Sequence, residues 1–421
     1  MSKHKKITIC GAGIVGIATA YYLLKKDKAL DVILLDKNQA MSFTTSKSGE
    51  NFRDYWPQSC MQQFVTHSID LMEELRIEYG TDAFDIEYSG YNFISHNKNA
   101  PIFGRNKETD AHQYMEETTS KEAIQKMYPF LDKGIEKLLR IKNAGNLDVY
   151  AMGSLMLREA KKMGLTYTEG EIVQLNQKET GLEIGLDSGT LIATDQVVIA
   201  TGPFINHLAK MLGFQFPVTN VLQRKIIVQD PKKVIPRDMP FTIYADGQYL
   251  DWSKEEKDFF ASEEKYHWLI NKFPGALHIK PEGEGIKIGW AFNTKTEDPS
   301  WDIPNADFFP QVVLKGASRF IPQLAEYADN IPTPLIEYAG YYTRTKENWP
   351  LIGPTEVNNV FVVGALAGYG TMSACAAGEL CADYMLGEST LAAYAPYFHP
   401  AKYQDEKILA EMAALDSDGQ L

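Results

Sequence analysis

The rhythm of apolar and polar positions changes along the chain, and the rhythm predicts the elements. Ile7–Cys10 is a short apolar run that ends on a glycine, the pattern of a buried strand. Ile14–Lys26 carries apolar residues at helical spacing, and Val32–Leu35 is a second apolar run closed by Asp36. Strand, helix, strand at this spacing implies a parallel pair joined by a right-handed crossover. Ser68–Glu78 and Leu155–Lys162 read as amphipathic helices. From Tyr167 to Thr194 the period falls to two, with a hairpin turn at Asp187–Gly189. "DQVVIATGPF" follows as another buried strand that runs into a glycine turn.

Residues 215–337 read differently. Alternating strands ("RKIIVQ", "FTIYA", "ALHIKP", "IKIGWAF") surround a charged helical insert at 252–271, expected to be a solvated amphipathic face. The chain then returns to its opening style, with "VFVVGALAGYGTMSACAAGELCADYML" giving strand, glycine loop and a long small-residue helix. The expectation is an α/β chain with an α+β second domain. One dinucleotide-binding domain would be built from 1–90, 145–214 and 338–421. An antiparallel-sheet substrate domain would be interleaved from 91–144 and 215–337.

Composition narrows the partners. The 421 residues are 44% hydrophobic and 23% charged, enough to bury a large core. The net charge of −13 and the lack of a basic stripe argue against a nucleic-acid partner. No apolar stretch is long enough to span a membrane and no secretory pattern follows "KHKK", so a cytoplasmic location is expected. Cys10, Cys60, Cys375 and Cys381 show no metal-ligand spacing, and no metal site is expected.

Gly11, Gly13 and Gly16 form G-x-G-x-x-G after a strand and at the start of a helix. The first allows a tight turn, the second lets a pyrophosphate approach the backbone, and the third lets helix and sheet pack closely. The helix start offers free N–H groups and partial positive charge to phosphates. Asp36 follows Gly16 by twenty residues, at the end of the second strand, where an acid accepts ribose hydroxyls. Two further strand-to-glycine turns, Val197–Gly202 and Phe361–Gly370, suit an elongated flavin dinucleotide better than a nicotinamide one.

With these motifs the chain resembles the D-amino-acid oxidase superfamily, which includes glycine oxidase and monomeric sarcosine oxidase. The resemblance runs through "ICGAGIVGIATAYYL", "EIVQL", "VVIATGPFI", "YAGYYTRTKENWPLIGP" and "VVGALAGYGTMSACAAGEL". It implies noncovalent FAD. Ile14 and Val15 would lie under the pyrophosphate, Asp36 and Lys37 by the adenosine ribose, and Val173 at adenine through its backbone. Thr44, Thr45, Ser46, Ser48, Gly49 and Asn51 would run past the phosphates toward the flavin. Ala200, Thr201, Gly202, Gly340 and Gly364 would contribute backbone. Gly368, Tyr369, Gly370, Thr371 and Met372 would line the ring at the start of the last helix, whose dipole favours negative charge there. Gly340 stands where sarcosine oxidases carry the flavin-linking cysteine.

The resemblance also implies oxidation of a C–N bond of a small amine or amino acid to an imine, by hydride transfer to flavin N5, with O2 as reoxidant. Here the substrate residues depart from the family. Tyr342 sits where glycine oxidase has its carboxylate-binding arginine. Arg344, two residues on, is either a displaced clamp or a surface arginine. Arg53 falls near a carboxylate-binding arginine of sarcosine oxidase, or is a structural ion-pair member. Lys287 matches the lysine that activates oxygen there, or is a solvated strand lysine. His278 falls near a substrate tyrosine, or is structural. Two other readings stay open: a dehydrogenase of a 2-hydroxy acid or amino acid that passes electrons to a quinone or carrier, and a non-catalytic flavoprotein subunit. A homodimer or an accessory partner is compatible with either.

Overall fold

The computed structural model describes residues 4–103 and 115–415, so the parts of the expected domains at 1–3, 104–114 and 416–421 lie outside the described residues. Two large sheets organise the chain. The first runs, in spatial order, Leu351–Pro354, Val360–Gly364, Gln196–Ile199, Lys6–Cys10, Asp31–Asp36, Thr166–Glu169. Its strands are parallel except Leu351–Pro354. The Lys6–Cys10 strand is buried on both faces. Ile7 and Ile9 lie in the core under two helices. Cys10 lies in a second core, formed with the three-stranded sheet Ile172–Gln177, Leu182–Leu186, Leu191–Thr194 and the short helix Ile205–Met211.

The helices Ile14–Lys26 and Gly370–Leu386 pack on one side of this sheet. They approach very closely. A Cβ on Gly378 would lie 2.6 Å from the backbone of Ala18 and Thr19, so the small-residue run of the last helix is what allows the contact. The helix expected at Ser68–Glu78 begins earlier, at Ser59, and that expected at Leu155–Lys162 begins at Val149. Asp148 caps the latter by accepting from the Ala151 N–H. Gln62 and Gln63 interrupt the first turns of the former, and Gly153 and Ser154 break the apolar spacing of the latter, which hid both starts from the apolar pattern.

The second sheet runs Leu335–Arg344, Thr219–Gln229, Gly285–Trp290, Leu277–Glu282, Phe241–Tyr244, Tyr91–Ser95, Lys137–Ile141, Met115–Thr118. It is antiparallel except where Phe241–Tyr244 meets Tyr91–Ser95. The strand Leu335–Arg344 pairs with Thr219–Gln229 from Leu335 to Arg344, so the boundary expected at 338 falls inside it. The hairpin expected at Asp187–Gly189 joins Leu182–Leu186 to Leu191–Thr194, with Gly189 at φ +82°.

The charged insert is not one helix. Ser253 and Glu256 form a capping box for the helix Lys254–Ser262, and a 3-10 turn, Glu264–Ile270, follows. Trp252, Phe260 and Leu269 bury one side of it in the second sheet's core, so only its outer side is a solvated face.

Candidate active site

A cavity of about 1120 Å³ runs between the two sheets. One end is built from backbone. Gly11, at φ +109°, turns the chain out of the first strand. A Cβ on Gly16 would overlap the Gly11 carbonyl oxygen, so Gly16 lets the helix start lie against the turn and does not itself line the cavity. Gly13 is the N-cap of the helix Ile14–Lys26, with no side-chain cap, and a Cβ there would meet only Thr45 Oγ1, at 3.5 Å. The face of Gly13 is therefore open to the cavity.

Asp36 lines the same end. Its carboxylate accepts from the Ala12 N–H at 2.7 Å and the Asn38 N–H at 3.0 Å, which fixes its orientation. Burial raises its pKa, and those N–H groups partly offset the rise. Thr45 Oγ1 accepts from the Ile14 N–H at 3.1 Å, tying the loop after the second strand to the helix start. Ser48 Oγ and Thr371 Oγ1 are 2.7 Å apart, which joins that loop to the start of the last helix.

These residues fit FAD. Beyond the open Gly13 face, Thr44 Oγ1 and Thr201 Oγ1 are buried without a hydrogen-bond partner among the described residues, although both residues line the cavity. A buried hydroxyl left unpaired is costly unless a ligand satisfies it. Most of the expected cofactor residues line this cavity, including Val15, Lys37, Gly340, Gly364 and the run Gly368–Met372. Ser46 and Val173 do not. Ser46 Oγ donates within its own turn, to Phe43 O at 2.6 Å. Val173 is 55% exposed, and the wall there is formed by Gly170–Ile172 instead.

The other end is built from side chains of the second sheet. Tyr91, Phe241, Ile243 and Tyr342 form apolar walls, with burial pushing the Tyr342 phenol up to about 12. Arg53 lines this end with its guanidinium over the rings of Trp56 at 4.6 Å and Phe103 at 4.9 Å. His278 lines it as well. Its Nδ1 is 3.2 Å from Ala276 O, a pairing that puts the ring proton on Nδ1 and leaves Nε2 an acceptor. Burial, then the charge of Lys225, pushes its pKa down to about 3, so the ring is neutral.

Two expected residues are not in the cavity lining. Lys287 is buried in an ion pair with Glu282 at 2.8 Å. Arg344 follows Tyr342 along the same strand but lies beyond the cavity wall. Lys225 also lines the cavity, along with Arg53, although the sequence pattern did not single it out. Its signal was a lysine directly before the apolar run Ile226–Val228 of the strand "RKIIVQ".

Lys225 and His278 reach each other across three strands. Both stand opposite Gly289 in the pairing. A Cβ on Gly289 would overlap the His278 ring and come within 2.9 Å of Lys225 Cγ, so this glycine makes room for both. Lys225 Nζ donates to Lys47 O at 3.2 Å. Among the described residues no carboxylate lies within 4.0 Å of Lys225 Nζ, whereas Lys280 and Lys287 share Glu282. Burial, then repulsion from Lys287 and Lys280, pushes the Lys225 pKa down to about 8. A buried ammonium without a counter-charge is a site waiting for an anion.

Comparison with known proteins agrees with this geometry. A family model described as FAD dependent oxidoreductase matches residues 6–384. Human mitochondrial dimethylglycine dehydrogenase is 22% identical over 386 residues, covering 90% of this chain but 42% of the relative. The chain thus spans about two fifths of the length of such curated relatives. Among solved structures, L-proline dehydrogenase from P. horikoshii superposes with a TM-score of 0.75 at 21% identity, over 96% of this chain and 99% of that one. Glycine oxidase from Geobacillus kaustophilus does so with a TM-score of 0.70 at 17% identity, over 93% and 98%. Among the described residues no helix is long and apolar enough to cross a membrane, and no cluster of His, Cys, Asp or Glu could hold a metal ion.

Proposed function

The chain belongs to the FAD-dependent oxidoreductase family, and from that premise we propose that it oxidises the C–N bond of a small amino acid or N-substituted amino acid to the imine. The observation that carries the reading is Lys225, a buried cation without a carboxylate partner at the aromatic end of the cavity. When bound, FAD supplies the two-electron acceptor for that oxidation.

The chain's own residues bind and orient. The Lys225 ammonium holds the substrate carboxylate in a charge-assisted hydrogen bond, with the Arg53 guanidinium at the same end. Tyr91, Phe241 and Tyr342 exclude water, and a dry wall disfavours the ammonium form of the substrate. The substrate nitrogen must be neutral to release electrons, so this wall favours the reactive form. His278 stays neutral and orients rather than removing a proton, since its pKa lies far below that of an amine. The imine hydrolyses in water after release.

O2 is the acceptor in the first reading. The second, a dehydrogenase that passes electrons to a quinone or protein carrier, is supported by the Lys287–Glu282 pair, which takes the expected oxygen-activating lysine out of the cavity lining. A panel of amino acids, N-methyl amino acids and 2-hydroxy acids, assayed for peroxide and for dye reduction in parallel, tests both. Peroxide from an amino acid supports the oxidase, and dye reduction alone supports the dehydrogenase. Turnover of hydroxy acids only would refute C–N oxidation.

A further inference from the structure

The segment 293–304 leaves the second sheet after Gly285–Trp290 and lines the cavity with Thr296, Glu297, Pro299 and Trp301. It has no secondary structure of its own beyond one bridge, Thr296 to Val221. Asn293 Nδ2 donates to Leu222 O at 2.9 Å, the Glu297 N–H to Asn220 O at 3.1 Å, and the Ser300 N–H to Tyr341 OH at 3.0 Å. Every one of these anchors is on the second sheet or the residues leading into it.

Contact with the nucleotide-binding side centres on one ring. Trp301 stacks on Phe204 with centroids 5.6 Å apart and planes at 10°, and it meets Phe43 at 4.2 Å. Lys37 Nζ lies 4.9 Å from its centroid. The partners are well placed. Phe43 immediately precedes Thr44 and Thr45, and Phe204 follows Thr201 and Gly202. The ring cluster therefore ties together the two loops whose threonine hydroxyls are unpaired. Phe43 and Ile303 also pack with Leu222, Ala339 and Tyr341 in a small apolar cluster separate from the large cores.

We propose that the segment 293–304 is a latch over the dinucleotide groove, and that Trp301 is the positioning residue that sets how slowly FAD leaves. The strap closes by packing and not by charge, because it presents Glu297 and Asp298 to the cavity, the wrong sign for phosphates. Trp301 is 40% exposed and the cluster beneath it is small, so the latch opens without unfolding either sheet. The inference rests on the fit to FAD and is independent of which substrate is oxidised.

Flavin release after dilution of the loaded protein, followed by the fluorescence of free FAD, tests it. Trp301→Ala should speed release about 10-fold, as loss of an aromatic stack implies, while Trp301→Phe stays near the wild-type rate. A wild-type release rate in Trp301→Ala would overturn the latch. A second measurement needs no variant. Lys295 is exposed in the strap, and trypsin should cut after it several-fold more slowly in the FAD-loaded protein than in the apoprotein. Equal cleavage of the two forms would also overturn it.

Discussion

The two ends of the cavity are made of different material. The dinucleotide end is mostly backbone: glycines that leave space, helix starts that leave N–H groups open, and one oriented carboxylate. The substrate end is side chains: Lys225, His278, Arg53 and the aromatic walls, brought together by strand pairing in the second sheet and by the short strand that carries Arg53. A backbone site depends on a few residues close in sequence. A side-chain site depends on register among distant strands, and one register or one glycine changes it.

That contrast predicts how the protein breaks, and the largest effect belongs to the backbone end. Gly16→Val should give a colourless protein on purification, because its side chain would displace the Gly11 turn. Flavin content by absorbance checks this, and normal loading would break the comparison. Lys225→Met should instead stay yellow and raise KM for a carboxylate substrate about 10- to 100-fold, the weight of a lost charged hydrogen bond. Steady-state kinetics read it.

Gly289→Ala should have a smaller effect of the same kind, raising KM about 10-fold with flavin content unchanged, because the new Cβ pushes Lys225 and His278 out of line. The pH dependence is gentler still. Lys225 is a cation only below about 8, so the affinity for a carboxylate lacking an amine should be flat below that pH and fall above it. A titration followed by flavin absorbance measures this; affinity that rises with pH would exclude the lysine. Arg344→Ala sharpens the comparison from the other side. Lying outside the cavity lining, it should change KM by less than about twofold.

The same contrast explains what the sequence disclosed. The glycine triad, Asp36 and the strand–helix–strand pattern sit within thirty-one residues, Ile7 to Lys37, where spacing alone fixes geometry. The two-layer plan followed from the change of period at 167 and at 215. The helix starts at Ser59 and Val149 were hidden because Gln62 and Gln63 interrupt the first pattern and Gly153 and Ser154 break the second. The resemblance singled out Lys287 and not Lys225, although each is a strand lysine beside isoleucines. Only the pairing of Lys225 with Gly289, and the position of Glu282 beside Lys287, separate them. Trp301 gave no signal at all, because its partners Phe43 and Phe204 lie far away in the chain.

The most direct test of the account is anaerobic mixing of the purified yellow protein with matched pairs of amines, each with and without its carboxylate. Bleaching of the flavin by the carboxylate-bearing member, and at least an order of magnitude less readily by its partner, is the predicted result. A protein that binds no flavin, or one bleached equally by both members, would contradict it.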